Sequence, residues 1–108
     1  MLPQDKEAFP AVRYTETKAH EWQIQPGVAR QYMMRFRYKN VSGSPVVARL
    51  RITDSNGTVM QDRDMTFPVT PNKFKTIGTT TDTQINAGVY RVVVETKQPL
   101  DFQYLEIQ

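Results

Sequence analysis

The chain has 108 residues, 14 Lys and Arg against 11 Asp and Glu, a net charge of +3, one histidine and no cysteine. That length fits one domain with a single modest core, and the missing cysteines exclude a disulfide-stapled scaffold without fixing a compartment. No apolar run is long enough for a membrane span and no signal-type h-region follows Met1, so we expect no membrane partner; the chain reads either as cytosolic or as an excised piece of a longer exported one.

No window sustains an i, i+3, i+4 apolar pattern. Several segments instead alternate with period two between Gly, Pro, Asn and Asp clusters, which predicts an all-β fold. Residues 1–11 carry two prolines and read as a leader or linker; the domain is expected over 12–108, with a short edge strand near 12–17. HEWQIQPG (20–27) is polar enough to be a loop. A long strand is predicted over 29–39, then the turn NVSGSP and a strand over 46–53.

DSNG (54–57) is the clearest hairpin signal, because Asn56 and Gly57 tolerate positive φ and both flanks alternate. A strand over 58–66 should return from it. Pairing Thr53 with Thr58 would set Arg51 opposite Met60, Arg49 opposite Asp62 and Val47 opposite Asp64. Further strands are predicted over 74–79, 89–96 and 102–107. Seven to eight short strands at this spacing predict an antiparallel β-sandwich.

Charge is uneven along the chain: residues 30–51 hold six basic residues (Arg30, Arg35, Arg37, Lys39, Arg49 and Arg51) and no acid. RQYMMRFRYKN (30–40) therefore looks like a nucleic-acid surface. Period two sorts it otherwise, with Tyr32, Met34, Phe36 and Tyr38 on one face and Gln31, Met33, Arg35, Arg37 and Lys39 on the other. The next strand repeats this, with Ala48, Leu50 and Ile52 inward and Val47, Arg49, Arg51 and Thr53 outward. Rings and cations on opposite faces are the reverse of a nucleic-acid platform, where they share a surface. The expected role of the arginines is a solvated face partly paired with Asp62 and Asp64; polyanion binding through Arg35, Arg37, Arg49 and Arg51 is the alternative.

The segment KAHEWQIQPG holds the only histidine and the only tryptophan. Trp22 beside His20, Glu21 and Gln23 suits a stacking platform for a sugar ring, with the polar neighbours binding hydroxyls. The competing readings make Trp22 a core residue of an edge strand, alternating with Ile24, or a contact for a neighbouring domain. Catalysis has little support. Ser42, Ser44 and Ser55 all sit in turns, one histidine stands without a nucleophile signature, and Glu16, Glu21, Glu95 and Glu106 carry no spacing that pairs them. No metal or cofactor is expected, since DSNGTVMQDRD lacks EF-hand spacing and there is no cysteine or second histidine for zinc. Asn40-Val41-Ser42 fits a glycosylation acceptor tripeptide.

Two stretches together resemble a known group. MRFRYKNVSGSPVVARLRITDSNGTV (34–59) has the rhythm of an R-Y-x-N strand, a Gly-containing turn, an alternating strand and an N-G hairpin; INAGVYRVVVETKQPLDFQYLEI (85–107) looks like the A-G-x-Y-x-V-x-V strand and closing x-x-Y-L-E-I strand. Both are similar to the β-sandwich carbohydrate-binding modules of families 6 and 35 and to related accessory domains of multidomain bacterial glycoside hydrolases. The resemblance implies a jelly-roll-like sandwich, not an enzyme, carried by an extracellular or periplasmic carbohydrate-active enzyme. Its expected partners are a carbohydrate and a neighbouring domain of a larger chain, with nucleic acid disfavoured. Such modules open on an acidic segment that helps hold a structural calcium, where this chain has RYTETK (13–18), and they carry an aspartate where Gln103 precedes Tyr104. KQPLD (97–101) also lacks their asparagine and aromatic sugar contacts. The candidate sugar contacts are accordingly Trp22, His20 and Tyr14. The alternative is a purely structural or interaction sandwich with fibronectin-like or immunoglobulin-like topology.

Overall fold

The computed structural model describes the backbone of residues 3–5 and the whole of residues 18–108. Eight strands are formed: β1 (Pro3–Asp5), β2 (Lys18–Ile24), β3 (Met33–Lys39), β4 (Val46–Asp54), β5 (Val59–Phe67), β6 (Lys75–Thr80), β7 (Tyr90–Thr96) and β8 (Asp101–Ile107). They build two antiparallel four-stranded sheets, ordered β1-β8-β3-β6 and β2-β7-β4-β5. This is the jelly-roll order; the fibronectin-like or immunoglobulin-like order of the alternative is not what the pairing gives. Part of the segment expected to be a leader is therefore paired, since Pro3–Asp5 lies against β8. The edge strand expected near 12–17 lies outside the described residues.

Alternation along each strand sends one side chain in two to the space between the sheets. Tyr32, Met34, Phe36 and Tyr38 are buried, as are Ala48, Leu50 and Ile52 from β4 and Val92 and Val94 from β7. At the centre, Phe36, Phe67, Phe102 and Trp22 meet edge to face, with ring centroids 5.1–6.1 Å apart. Full burial of each such side chain stabilises the fold by about 1.5–3 kcal/mol. The tyrosine hydroxyls reach the two ends of the sandwich, Tyr38 donating to the Pro68 carbonyl (2.7 Å) and Tyr32 to the Val28 carbonyl (2.6 Å).

Two boundaries differ from the sequence expectation for identifiable reasons. The strand predicted from residue 29 begins only at Met33, because the preceding residues bond to the loop before β7 instead: Arg30 bridges Ile85, and Tyr32 N–H donates to Thr81 Oγ1. The hairpin register also slips. Asp54 Oδ1 accepts the N–H groups of Asn56 and Thr58 (both 2.9 Å), drawing Thr58 into the turn, so Thr53 pairs with Val59. A bulge between Ile52 and Thr53 adds the second step, which sets Arg51 opposite Asp62, Arg49 opposite Asp64 and Val47 opposite Thr66.

Candidate functional site

β2 is an edge strand of its sheet, and His20, Trp22 and Ile24 turn into the core. Trp22 is 1% exposed, wedged against Phe36 (5.5 Å) and Phe102 (5.1 Å). His20 is 2% exposed with its ring 4.8 Å from Phe102. Burial, helped by the Lys18 charge, pulls the imidazole down from its ordinary value to about 4, so it is neutral near pH 7. A sugar-stacking platform needs an open ring face, and neither side chain offers one. The surface role expected of Trp22 and His20 is thus replaced by a core role, because the segment forms a strand rather than a loop. Tyr14 lies outside the described residues.

The same alternation pushes Glu21 and Gln23 outward, onto the far side of the sheet. There they line a shallow groove of about 550 Å³ with Arg91, Val89, Thr53 and the β4–β5 hairpin. Arg91 sits mid-groove, opposite Gln23 on one side and Thr53 on the other, with its Nε 3.8 Å from Glu21 Oε2. The hairpin wall is rigid by local chemistry. Asp54 spends its carboxylate on the turn, and Gly57 takes φ of 85° and donates its N–H to the Asp54 carbonyl at 3.0 Å. Ser55 and Asn56 are thereby presented at the rim. Amide, guanidinium and hydroxyl groups around the half-exposed Val89 suit a polyhydroxylated ligand, to which they offer hydrogen bonds.

The cation-rich block of residues 30–51 does not form one patch, because β3 and β4 belong to different sheets. Arg35, Arg37 and Lys39 lie on the outer face of one, Arg49 and Arg51 on the outer face of the other. The β4 pair is neutralised: Arg49 holds Asp62 through Nε and Nη2, and Arg51 reaches Glu95 and Asp62. Arg49 therefore engages its diagonal neighbour rather than Asp64 directly opposite, within normal cross-strand reach.

Sequence reasoning missed Tyr104. Rings and cations do occupy opposite faces of β3, but β8 pairs beside it with Tyr104 opposite Arg37, so a half-buried ring joins the cationic face. Only the β8 register reveals this, and that register contains a bulge at Gln103. The bulge aims Gln103 Oε1 at Arg37 Nε, 2.9 Å away. A guanidinium bonded to that oxygen opposes a divalent cation there, and an amide brings no charge. These residues do not fit the calcium that the resemblance implies at this place.

Asn40 is fully buried, its Nδ2 donating to the carbonyls of Ser44 and Phe67 (both 3.0 Å), and it is a turn-fixing residue rather than a glycan acceptor. Ser42 serves the same turn through Asn40 Oδ1. Among the described residues, no group of three or more His, Asp or Glu could hold a metal ion.

No family model matches the chain, and no curated protein matches it. Solved structures do. The family 35 carbohydrate-binding module from Clostridium thermocellum superposes with a TM-score of 0.68 at 18% identity, over 97% of this chain and 90% of its own. The family 35 module of Cellvibrio japonicus Abf62 gives 0.73 at 15% identity, over 99% and 91%. The isomalto-dextranase of Arthrobacter globiformis T6, solved with panose, gives 0.74 at 14% identity over 95% of this chain, which spans only 18% of that enzyme's length. With its jelly-roll order and its match along nearly the whole of these modules, the chain has the β-sandwich fold of the carbohydrate-binding modules.

Proposed function

We propose that the chain is a non-catalytic accessory domain of a bacterial, exported, multidomain carbohydrate-active enzyme, binding glycan weakly or positioning the catalytic domain. The observation that carries this reading is the likeness to solved family 35 carbohydrate-binding modules over nine-tenths of their length, combined with a similar domain-sized piece inside an isomalto-dextranase. The polar groove over β2, β7 and the hairpin is the site we assign to it, with Gln23, Arg91 and Asn56 as hydrogen-bonding residues and Val89 as the apolar contact.

Affinity electrophoresis against a panel of neutral glycans, dextran included, tests this. Retention is expected with at least one of them, and Gln23→Ala or Asn56→Ala should weaken it roughly three- to tenfold, the value of one or two lost hydrogen bonds. Silence across the panel overturns the binding role. It would favour the second reading, a structural or interaction sandwich, which has its own support: the one tryptophan lies in the core, and the groove has no exposed aromatic ring.

A further inference from the structure

We propose that the outer face of the β1-β8-β3-β6 sheet is a second binding surface, separate from the groove, for an anionic polysaccharide whose carboxylate or sulfate groups are held by Arg35 and Arg37 beside Tyr104. It does not depend on the groove reading.

The argument starts from an asymmetry between the faces. On the β2-β7-β4-β5 side every outward arginine has a carboxylate within 4 Å: Arg49 with Asp62, Arg51 with Glu95 and Asp62, Arg91 with Glu21. On the other side β3 projects Arg35, Arg37 and Lys39, and none of the three forms an ion pair among the described residues. The register explains why. Their cross-strand neighbours on β6 are Gly78 and Thr76, and on β8 they are Glu106, Tyr104 and Asp101. Asp101, facing Lys39, is itself buried, and Glu106, directly opposite Arg35, is partly exposed but forms no ion pair among the described residues. Two like charges two residues apart on one strand repel, and an anion laid between them removes that repulsion while gaining charge-assisted hydrogen bonds.

Donor geometry agrees. Arg37 commits only Nε to Gln103, which fixes the plane of the guanidinium and leaves its two terminal nitrogens for a bidentate anion. Arg35 is exposed opposite Gly78, and the space over that glycine is filled by the Met33 thioether, which adds an apolar contact beside the guanidinium. Exposed Thr76 and Thr80 supply hydroxyls, and the half-buried Tyr104 ring gives a sugar one apolar contact. A single ring on a flat sheet suits a sugar chain better than a single-stranded nucleic acid, which takes successive rings for successive bases.

Isothermal titration of the whole chain tests the proposal with polygalacturonate, dextran sulfate, neutral dextran and an oligothymidylate as probes. Binding to polygalacturonate or dextran sulfate is expected, the tighter of the two naming the anionic group, and it should weaken steeply as salt rises. Arg35→Gln and Arg37→Gln should each weaken it about tenfold. The charge-keeping Arg35→Lys should retain most of it, Arg37→Lys, which loses the bidentate fork, should fall nearly as far as Arg37→Gln, and Gln23→Ala in the groove should leave it unchanged. The proposal is overturned if neither acidic polysaccharide binds, if Arg49→Gln and Arg51→Gln weaken binding as much as the β3 variants do, or if the oligothymidylate binds more tightly than both polysaccharides. A normal acidic-polysaccharide result with silence from every neutral glycan would sink the groove reading alone.

Discussion

Arg63 of β5 reaches across the open side of the sandwich to β6 of the other sheet, where its Nη2 donates to the Thr80 carbonyl (2.8 Å) and to Thr79 Oγ1 (3.0 Å). Its Nε also lies 3.2 Å from Asp82 Oδ1, but that carboxylate is 53% exposed, so solvent screens the ion pair and the two hydrogen bonds matter more. Gln61, one inward position earlier, adds an acceptor for Asp82 N–H at 2.9 Å. Arg63→Met, which keeps the apolar stem and deletes the donors, should lower the unfolding free energy by about 1–3 kcal/mol, whereas Asp82→Asn should cost less than about 1 kcal/mol. Urea midpoints at unchanged m-value measure both.

Trp22 provides a second test. Trp22→Ala removes the largest side chain of the aromatic cluster and should destabilise by about 3–5 kcal/mol. Trp22→Phe should cost much less, because it keeps a ring against Phe36 and Phe102 and deletes a buried indole N–H that has no hydrogen-bond partner among the described residues. If Trp22→Phe left stability intact but abolished glycan retention, a direct contact role would return.

The depressed His20 makes stability depend on pH in a defined direction. Its unfolded value of 6.5 lies above its folded value of about 4, so between these the unfolded chain binds more protons than the folded one. The contribution is fully present above pH 6.5 and is lost as pH falls towards 4, by up to about 3 kcal/mol. Asp101, pushed upward by burial against a smaller downward pull from Lys39, titrates with the opposite sign. Subtracting the urea-stability profile of His20→Phe from that of the parent isolates the histidine; a flat difference between pH 7 and 4.5 contradicts the assignment.

Calcium should not matter at the β8 bulge. A cation bound at a hundredfold over its dissociation constant would add about 2.7 kcal/mol, enough to shift Tm by several degrees. With Arg37 bonded to Gln103, we expect Tm to be unchanged when EDTA or calcium chloride is added, as read by scanning calorimetry.

Alternation made much of this fold legible before any coordinates, because a period of two depends only on neighbours in sequence. The inward stripes Tyr32–Met34–Phe36–Tyr38 and Ala48–Leu50–Ile52 are both buried as that rule requires. The same rule applied to His20, Trp22 and Ile24 identifies β2, and it was the polar outward residues between them that made the segment look like a loop. What alternation cannot reach is pairing across the sheet. The bulges at Ile52/Thr53 and Arg37/Tyr38 each move a register, and the division of β3 and β4 between two sheets is a long-range choice. Tyr104 beside Arg37, and the splitting of the six-cation block, follow from those non-local choices.

That splitting has a directional result. The two sheets pack about 10 Å apart, and among the described residues the outward arginines of one side are ion-paired while those of β3 are not. Near an anionic polymer the β3 side is therefore the one expected to approach first. In that pose the groove beside the DSNG hairpin points away from the polymer, so the two proposed surfaces would not compete, and a domain with both would join unlike chains.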